Sequence, residues 1–158
     1  MKFFTNLLMK EFSKIRIIND PVHGFIKLPS QFIYTLIDHS YIQRLRRIKQ
    51  LGMSYYVFPG ATHTRFQHAI GATHLMSIAL QNLMLKGHTI TNDELEGALI
   101  AILLHDIGHG PFSHALENSI IEGLDHEIIS AMLMEKLNEQ FHGRLSLALA
   151  IFYNRYKK

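Results

Sequence analysis

The sequence contains no cysteine and no tryptophan, and only four of its 158 residues are proline. Without cysteine there is no disulfide framework and no thiolate-ligated zinc or iron–sulfur centre. Charge is also sparse, at 18% of residues with a net +3. Together with a 47% apolar fraction, this excludes a disordered polyelectrolyte. Long apolar runs are missing too. The longest, Ala98 to Leu104, is far too short to cross a bilayer. The opening MKFFTNLLMKEF is broken by Asn6, Lys10 and Glu11 and lacks a small-residue cleavage site, so it does not read as a signal peptide. The expectation is a soluble, cytoplasmic protein with no membrane partner. The pI near 9.2 argues only weakly for an anionic partner, because the basic residues are spread along the chain. What is abundant is histidine, with eleven residues, several within helical reach of one another and of carboxylates.

No repeat, low-complexity tract or linker divides the chain, and its length suits one domain or the first part of a larger one. Residues 15–28, IRIINDPVHGFIKL, mix β-branched residues with Asp20-Pro21 and Gly24, which predicts a short hairpin or extended arm. Helical periodicity starts after Pro29-Ser30, through Phe32, Ile33, Leu36 and Ile37, then Ile42, Leu45 and Ile48, with Ser40 as a second cap. Residues 52–62 form a loop. A long helix runs from about Thr64 and closes at Gly87. Thr91 to Glu94 is a capping box ahead of LEGALIAILLHDIG, whose all-round apolarity predicts a buried central helix ended by Gly108, Gly110 and Pro111. Two further helices fall near 126–140 and 144–156. The fold class is all-α, a helical bundle with a short N-terminal hairpin or arm. The expected division is an arm over 1–17 and one domain over 18–158.

Three groups of residues invite chemistry. His105-Asp106 ends an otherwise apolar helix. Buried without partners, such a pair costs several kcal/mol, so it calls for a cation or other partners. His109 follows on the same helical face and His114 one turn later. The competing reading is a helix C-terminus with dipole-compensating histidines, which explains neither Asp106 nor four polar residues in ten. Second, Arg65 and His68 share a face near a helix N-terminus, where anions bind. With His105 and Asp106, His68 completes a mixed imidazole and carboxylate set suited to iron, manganese, zinc or nickel more than to calcium or magnesium alone. Third, Asp125-His126-Glu127 opens a helix, where ordinary capping competes with a functional role. His39, His74, His88 and His142 are read as surface or core residues.

Four motifs in order, INDPVHGFIKL at 18–28, QRLRRIKQLG at 43–52, YYVFPGATHTRFQHAIG at 55–71 and LLHDIGHGPFSHALE at 103–117, resemble the HD superfamily of metal-dependent phosphohydrolases. The resemblance is specifically to its deoxynucleoside triphosphate triphosphohydrolase branch, and it spans roughly residues 18 to 127. It implies an HD-type helical bundle that hydrolyses dNTP to deoxynucleoside and triphosphate with a divalent metal: iron, manganese, zinc, nickel or magnesium. His68, His105 and Asp106 then hold the metal. Arg65 grips substrate phosphate, and Gln50 with Leu51 contacts the deoxyribose. His109, His114 and His126 line the phosphate path, with His114 the proton donor or acceptor. Glu117 stands where relatives often carry Asp to orient that histidine, and Glu127, next to His126, fits among the same supporting residues. Asp38, Gln43 and Arg46 resemble a nucleotide effector site that some members use to assemble homo-oligomers; a solvated helix face competes with that reading.

One departure stands out. The last metal ligand of the family is an Asp in a segment lying beyond the final NRYKK of this chain. The expectation is therefore the N-terminal portion of a longer enzyme, or a truncated and weakly active form. Two alternatives remain. One is an HD phosphohydrolase on another phosphoester, such as a nucleotide monophosphate. The other is a non-catalytic nucleotide- or nucleic-acid-binding module, which Arg44, Arg46, Arg47 and Lys49 permit. No aromatic stacking pattern accompanies that basic run to support nucleic acid.

Overall fold

The computed structural model describes residues 16–112 and 125–157. The predicted hairpin is present. Strand β1 (Ile18–Asp20) pairs antiparallel with β2 (Gly24–Ile26), Ile18 opposite Ile26. Asp20 makes the turn by accepting hydrogen bonds at Oδ1 from the Val22 and His23 amides, at 2.8 and 2.9 Å. This is an Asx turn, built from a side chain short enough to reach its own backbone. Of the expected arm, Arg16 and Ile17 alone are described.

Helix α1 (Gln31–Asp38) starts at Ser30, whose hydroxyl accepts from the Phe32 amide. Helix α2 (Ser40–Gln43) is capped by His39, through Nδ1 and the Tyr41 amide, rather than by Ser40, which is its first helical residue. The chain then tightens into a 3-10 turn at Arg44–Arg47. A second short 3-10 turn at Ser54–Tyr56 lies within the expected loop.

Helix α3 (Arg65–Leu85) carries a full capping box between Thr64 and Gln67, satisfying two amides that a helix start leaves unpaired. It closes at Gly87, with φ +89°. The Gly87 amide bonds to Met84 and the His88 amide to Leu83, the pairing that a left-handed glycine permits. Helix α4 (Asn92–Leu104) has its own capping box, Thr91 with Glu94. Helix α5 (His126–Gln140) has the predicted bounds. Helix α6 (Ser146–Phe152) is shorter than expected. Asn154 turns left-handed at φ 54°, and the Arg155 amide returns to the Ala150 carbonyl, so the helix cannot propagate to residue 156.

Helix α4 is the core. Leu99, Ile100, Leu103 and Leu104 are all but inaccessible, each worth roughly 1.5–3 kcal/mol of transfer free energy. It packs chiefly on α3 and α6, with α1 against it as well. The result is an all-helical bundle bearing one small hairpin. Among the described residues no helix is long and apolar enough to cross a membrane.

Candidate metal centre

The core helix stops with its apolar run, short of the expected end at Gly108. Regular α-helix ends at Leu104 with His105 as its C-cap, and residues 105–108 continue as turns. His109 therefore does not sit one helical turn above His105, as expected from the spacing. The turn brings it back beside Asp106 instead, Nε2 to Oδ1 at 3.6 Å, and it is buried at 2% exposure.

Across from this turn stands the first turn of α3. It is pinned by an antiparallel bridge between Lys49 and Thr64, by the Arg65 amide donating to Ile48 and by the Gln50 amide donating to His63. That anchorage points Arg65 and His68 at the end of α4. Arg65 Nη1 lies 2.6 Å from Asp106 Oδ2, both residues buried. His68 Nε2 is 3.7 Å from Asp106 Oδ2, and His105 Nε2 is 3.4 Å from Asp106 Oδ1. The two Nε2 atoms are 3.4 Å apart. The donor atoms of His68, His105 and Asp106 all lie within 4.8 Å of one another.

This donor set suits a cation. His105 Nδ1 is 2.7 Å from the Ile102 carbonyl. A carbonyl only accepts, so Nδ1 carries the hydrogen and the Nε2 lone pair of the neutral ring faces the cluster. Burial pushes the His68 imidazole below its usual pKa, helped by His105 and Arg65 against the opposing pull of Asp106. Burial would raise the Asp106 carboxyl, but His109, His105 and Arg65 together outweigh it and hold the group well below the usual carboxylate range. The cluster thus gathers a carboxylate and imidazole nitrogens, donor types that suit a divalent ion.

A second grouping shares Asp106. Its donor atoms with those of His109 and His126 also fall within 4.8 Å. The His109 and His126 rings stack at 3.9 Å and 14°. Burial lowers the His109 pKa, assisted by Arg65 and His126 against the bond to Asp106. His126 Nδ1 lies 2.7 Å from Asp125 Oδ1. Asp125 also caps α5 through the Glu127 amide, so the capping reading of that acid holds alongside its contact with His126. Beside the centre opens a cavity of about 570 Å³ lined by His105, Asp106, His126 and Glu127, with Ile128 and Met132 on an apolar wall. That size and mixed lining fall in the range of small-molecule sites.

Other expected site residues are placed differently. Gln50 is half-buried and Leu51 exposed; neither is among the described residues lining that cavity. His114 and Glu117 lie outside the described residues. Asp38 is held by Arg16 in a two-point pair at 2.5 and 3.0 Å. Gln43 bonds the Ile37 carbonyl and accepts from Arg46 Nε, whose guanidinium lies 3.6 Å from the centre of the Phe66 ring.

Two features escape a reading of the sequence. Arg44, a member of the basic run with Arg46, Arg47 and Lys49, turns inward and donates to the carbonyls of Ile107 and His109. Gly108 is pressed against α5. A Cβ there would lie 2.2 Å from the His126 carbonyl, and its amide donates to Ser130 Oγ at 2.9 Å. The only hint is Gly108 itself, a small residue inside HDIGHG.

A helical bundle that gathers two histidines and an aspartate from the start of α3 and the turn after α4, backed by a buried arginine, presents a cluster that could hold a metal ion. The HD domain model matches residues 65–158, and the chain belongs to the HD domain family. It is 39% identical over 140 residues to the deoxynucleoside triphosphate triphosphohydrolase SAMHD1 of Gallus gallus, covering 84% of this chain and 23% of that protein. Human SAMHD1 is 37% identical over 145 residues, 87% of this chain and 23% of its own length. The crystal structure of a phosphohydrolase from Bacteroides thetaiotaomicron superposes with a TM-score of 0.87 at 55% identity, over 89% of this chain and 35% of that one. The chain thus spans about a quarter of the length of these SAMHD1 relatives.

Proposed function

We propose that this protein is the metal-binding part of a phosphohydrolase that acts on deoxynucleoside triphosphates and releases deoxynucleoside and intact triphosphate. The observation that carries the reading is the convergence of His68, His105 and Asp106 within 4.8 Å, with Arg65 bound to Asp106, in a chain similar to triphosphohydrolases. His68, His105 and Asp106 hold a divalent cation. When bound, such an ion supplies a Lewis acid for a phosphoryl oxygen and lowers the pKa of a bound water.

The remaining work belongs to side chains of this chain. His109, His105 and Arg65 together favour the charged form of Asp106, and Arg65 adds fixed positive charge beside a polyanionic substrate. His109 and His126 form one wall of the phosphate path, where an imidazole can carry a proton to the leaving 5′-oxygen, a contribution of roughly 10²–10⁴-fold. His114 shares that role in the reading. Glu127, at the cavity wall, tunes His126. Asp38, Gln43 and Arg46 form an effector-nucleotide patch: Arg46 donates through Nε to Gln43 with its guanidinium over the Phe66 ring, on a segment separate from the metal residues.

Product analysis tests the reading. The protein, loaded with Mn²⁺ and given a mixture of dNTPs, is expected to yield deoxynucleosides and tripolyphosphate by chromatography, and His68→Ala to yield neither. Orthophosphate with dNDP as first products would place attack at the γ-phosphate and sink the assignment.

A further inference from the structure

We propose that Arg44 is a positioning residue for the metal centre: its guanidinium fixes the turn that carries Asp106 and His109. It thereby sets the geometry in which His68, His105 and Asp106 receive a cation. The inference rests on the metal reading above and extends it to a residue 62 positions away in sequence from Asp106.

The need for such a residue follows from where α4 ends. Past Leu104 the amides of Ile107 and His109 still find partners, the carbonyls of Leu104 and Asp106. A helical partner for the Ile107 carbonyl would be the amide of residue 111, and Pro111 has none to give. Arg44 Nη1 donates to the His109 carbonyl at 2.8 Å, and Nη2 donates to that of Ile107. The two carbonyls bracket Gly108 and follow Asp106 directly, so one planar fork fixes the turn at two points. The guanidinium is half-buried, and burial lowers its pKa. Among the described residues its recorded partners are these carbonyls and no carboxylate. A cation is thus committed to the C-terminal end of α4, where the helix dipole favours positive charge. On the other side the turn meets α5, where the Gly108 amide donates to Ser130 Oγ and the His109 and His126 rings stack. Lysine offers a point charge rather than a fork and cannot reproduce both bonds in one plane.

Because Asp106 meets His68, His105 and Arg65 at distances of 2.6 to 3.7 Å, a small displacement of the turn spoils the whole set. Groups that orient metal ligands from behind are typically worth 10–100-fold in affinity.

The test is Co²⁺ binding by the full chain, read from visible ligand-field bands, with urea unfolding measured on the same samples. Arg44→Ala is expected to weaken Co²⁺ binding by about 10–100-fold and to alter the bands. Arg44→Lys should fall between it and wild type, and added guanidinium ion should restore part of the Arg44→Ala spectrum. Arg47→Ala, an exposed arginine in the same 3-10 turn, should match wild type. If Arg44→Ala fails to fold, Arg44→Lys carries the comparison. Wild-type affinity and bands in the Arg44 variants would overturn the proposal. So would a loss of affinity that follows lost stability, with unchanged bands and no rescue. Absence of Co²⁺ bands in the wild type, or their survival in His68→Ala, would instead defeat the metal reading itself, and this proposal with it.

Discussion

Asp106 is the residue on which the centre turns. It bonds Arg65, faces His68, His105 and His109, and is itself buried at 9% exposure. A buried ion pair gives little net stability when intact, because desolvation offsets attraction, but removing one member is costly. Asp106→Asn keeps the shape and removes the anion 2.6 Å from the buried Arg65 guanidinium. The expected outcome is a loss of about 3 kcal/mol in urea unfolding without metal, accompanied by loss of divalent-ion binding. A variant as stable as wild type would show that Arg65 does not depend on this carboxylate.

The small hairpin depends on one side chain. Asp20 accepts two backbone amides while buried. Burial raises its pKa, but the His23 and Val22 amides, with His23 and His74 nearby, outweigh that and leave it lowered. A carboxylate depressed in the folded state contributes stability that is full above its unfolded pKa near 3.9 and is lost as pH falls through the lower native value. Asp20→Ala should therefore cost about 1–2 kcal/mol at neutral pH, with the gap between variant and wild type closing in acid below about pH 4. Unfolding curves at pH 7 and in acid decide it. A gap constant with pH would mean that Asp20 acts by shape rather than by its charge-assisted bonds.

For the whole molecule the metal reading predicts that folding and ion binding are linked, since the donors come from the start of α3 and the turn after α4 and meet only in the folded chain. A ligand that binds the native state alone at 100 times its Kd stabilises by about 2.7 kcal/mol. For a chain of this size that corresponds to a rise of about 5–10 °C in Tm. Mn²⁺ or Co²⁺ should raise the midpoint by this amount and EDTA should reverse it, with His105→Ala insensitive to both. An unchanged midpoint at saturating ion would argue against His68, His105 and Asp106 as a binding set.

What the sequence by itself determined is whatever neighbours in the chain decide. Capping boxes at Thr64 and Thr91, the Asx turn at Asp20 and the helix end at Gly87 are local hydrogen-bonding problems, solved within a few residues. The apolarity of 98–104 likewise marks the core helix without reference to what surrounds it. Ordered motifs also carried the resemblance to HD phosphohydrolases, which the family match bears out. Tertiary structure decided the rest. The course of the turn after α4, and so the place of His109, is met by Arg44 and Ser130 reaching in from remote segments. A basic run with helical spacing cannot show which member turns inward, because periodicity describes faces and not the carbonyls waiting opposite them. The cluster itself joins residues 37 positions apart, and only packing of α3 against α4 closes that distance to 3.4 Å.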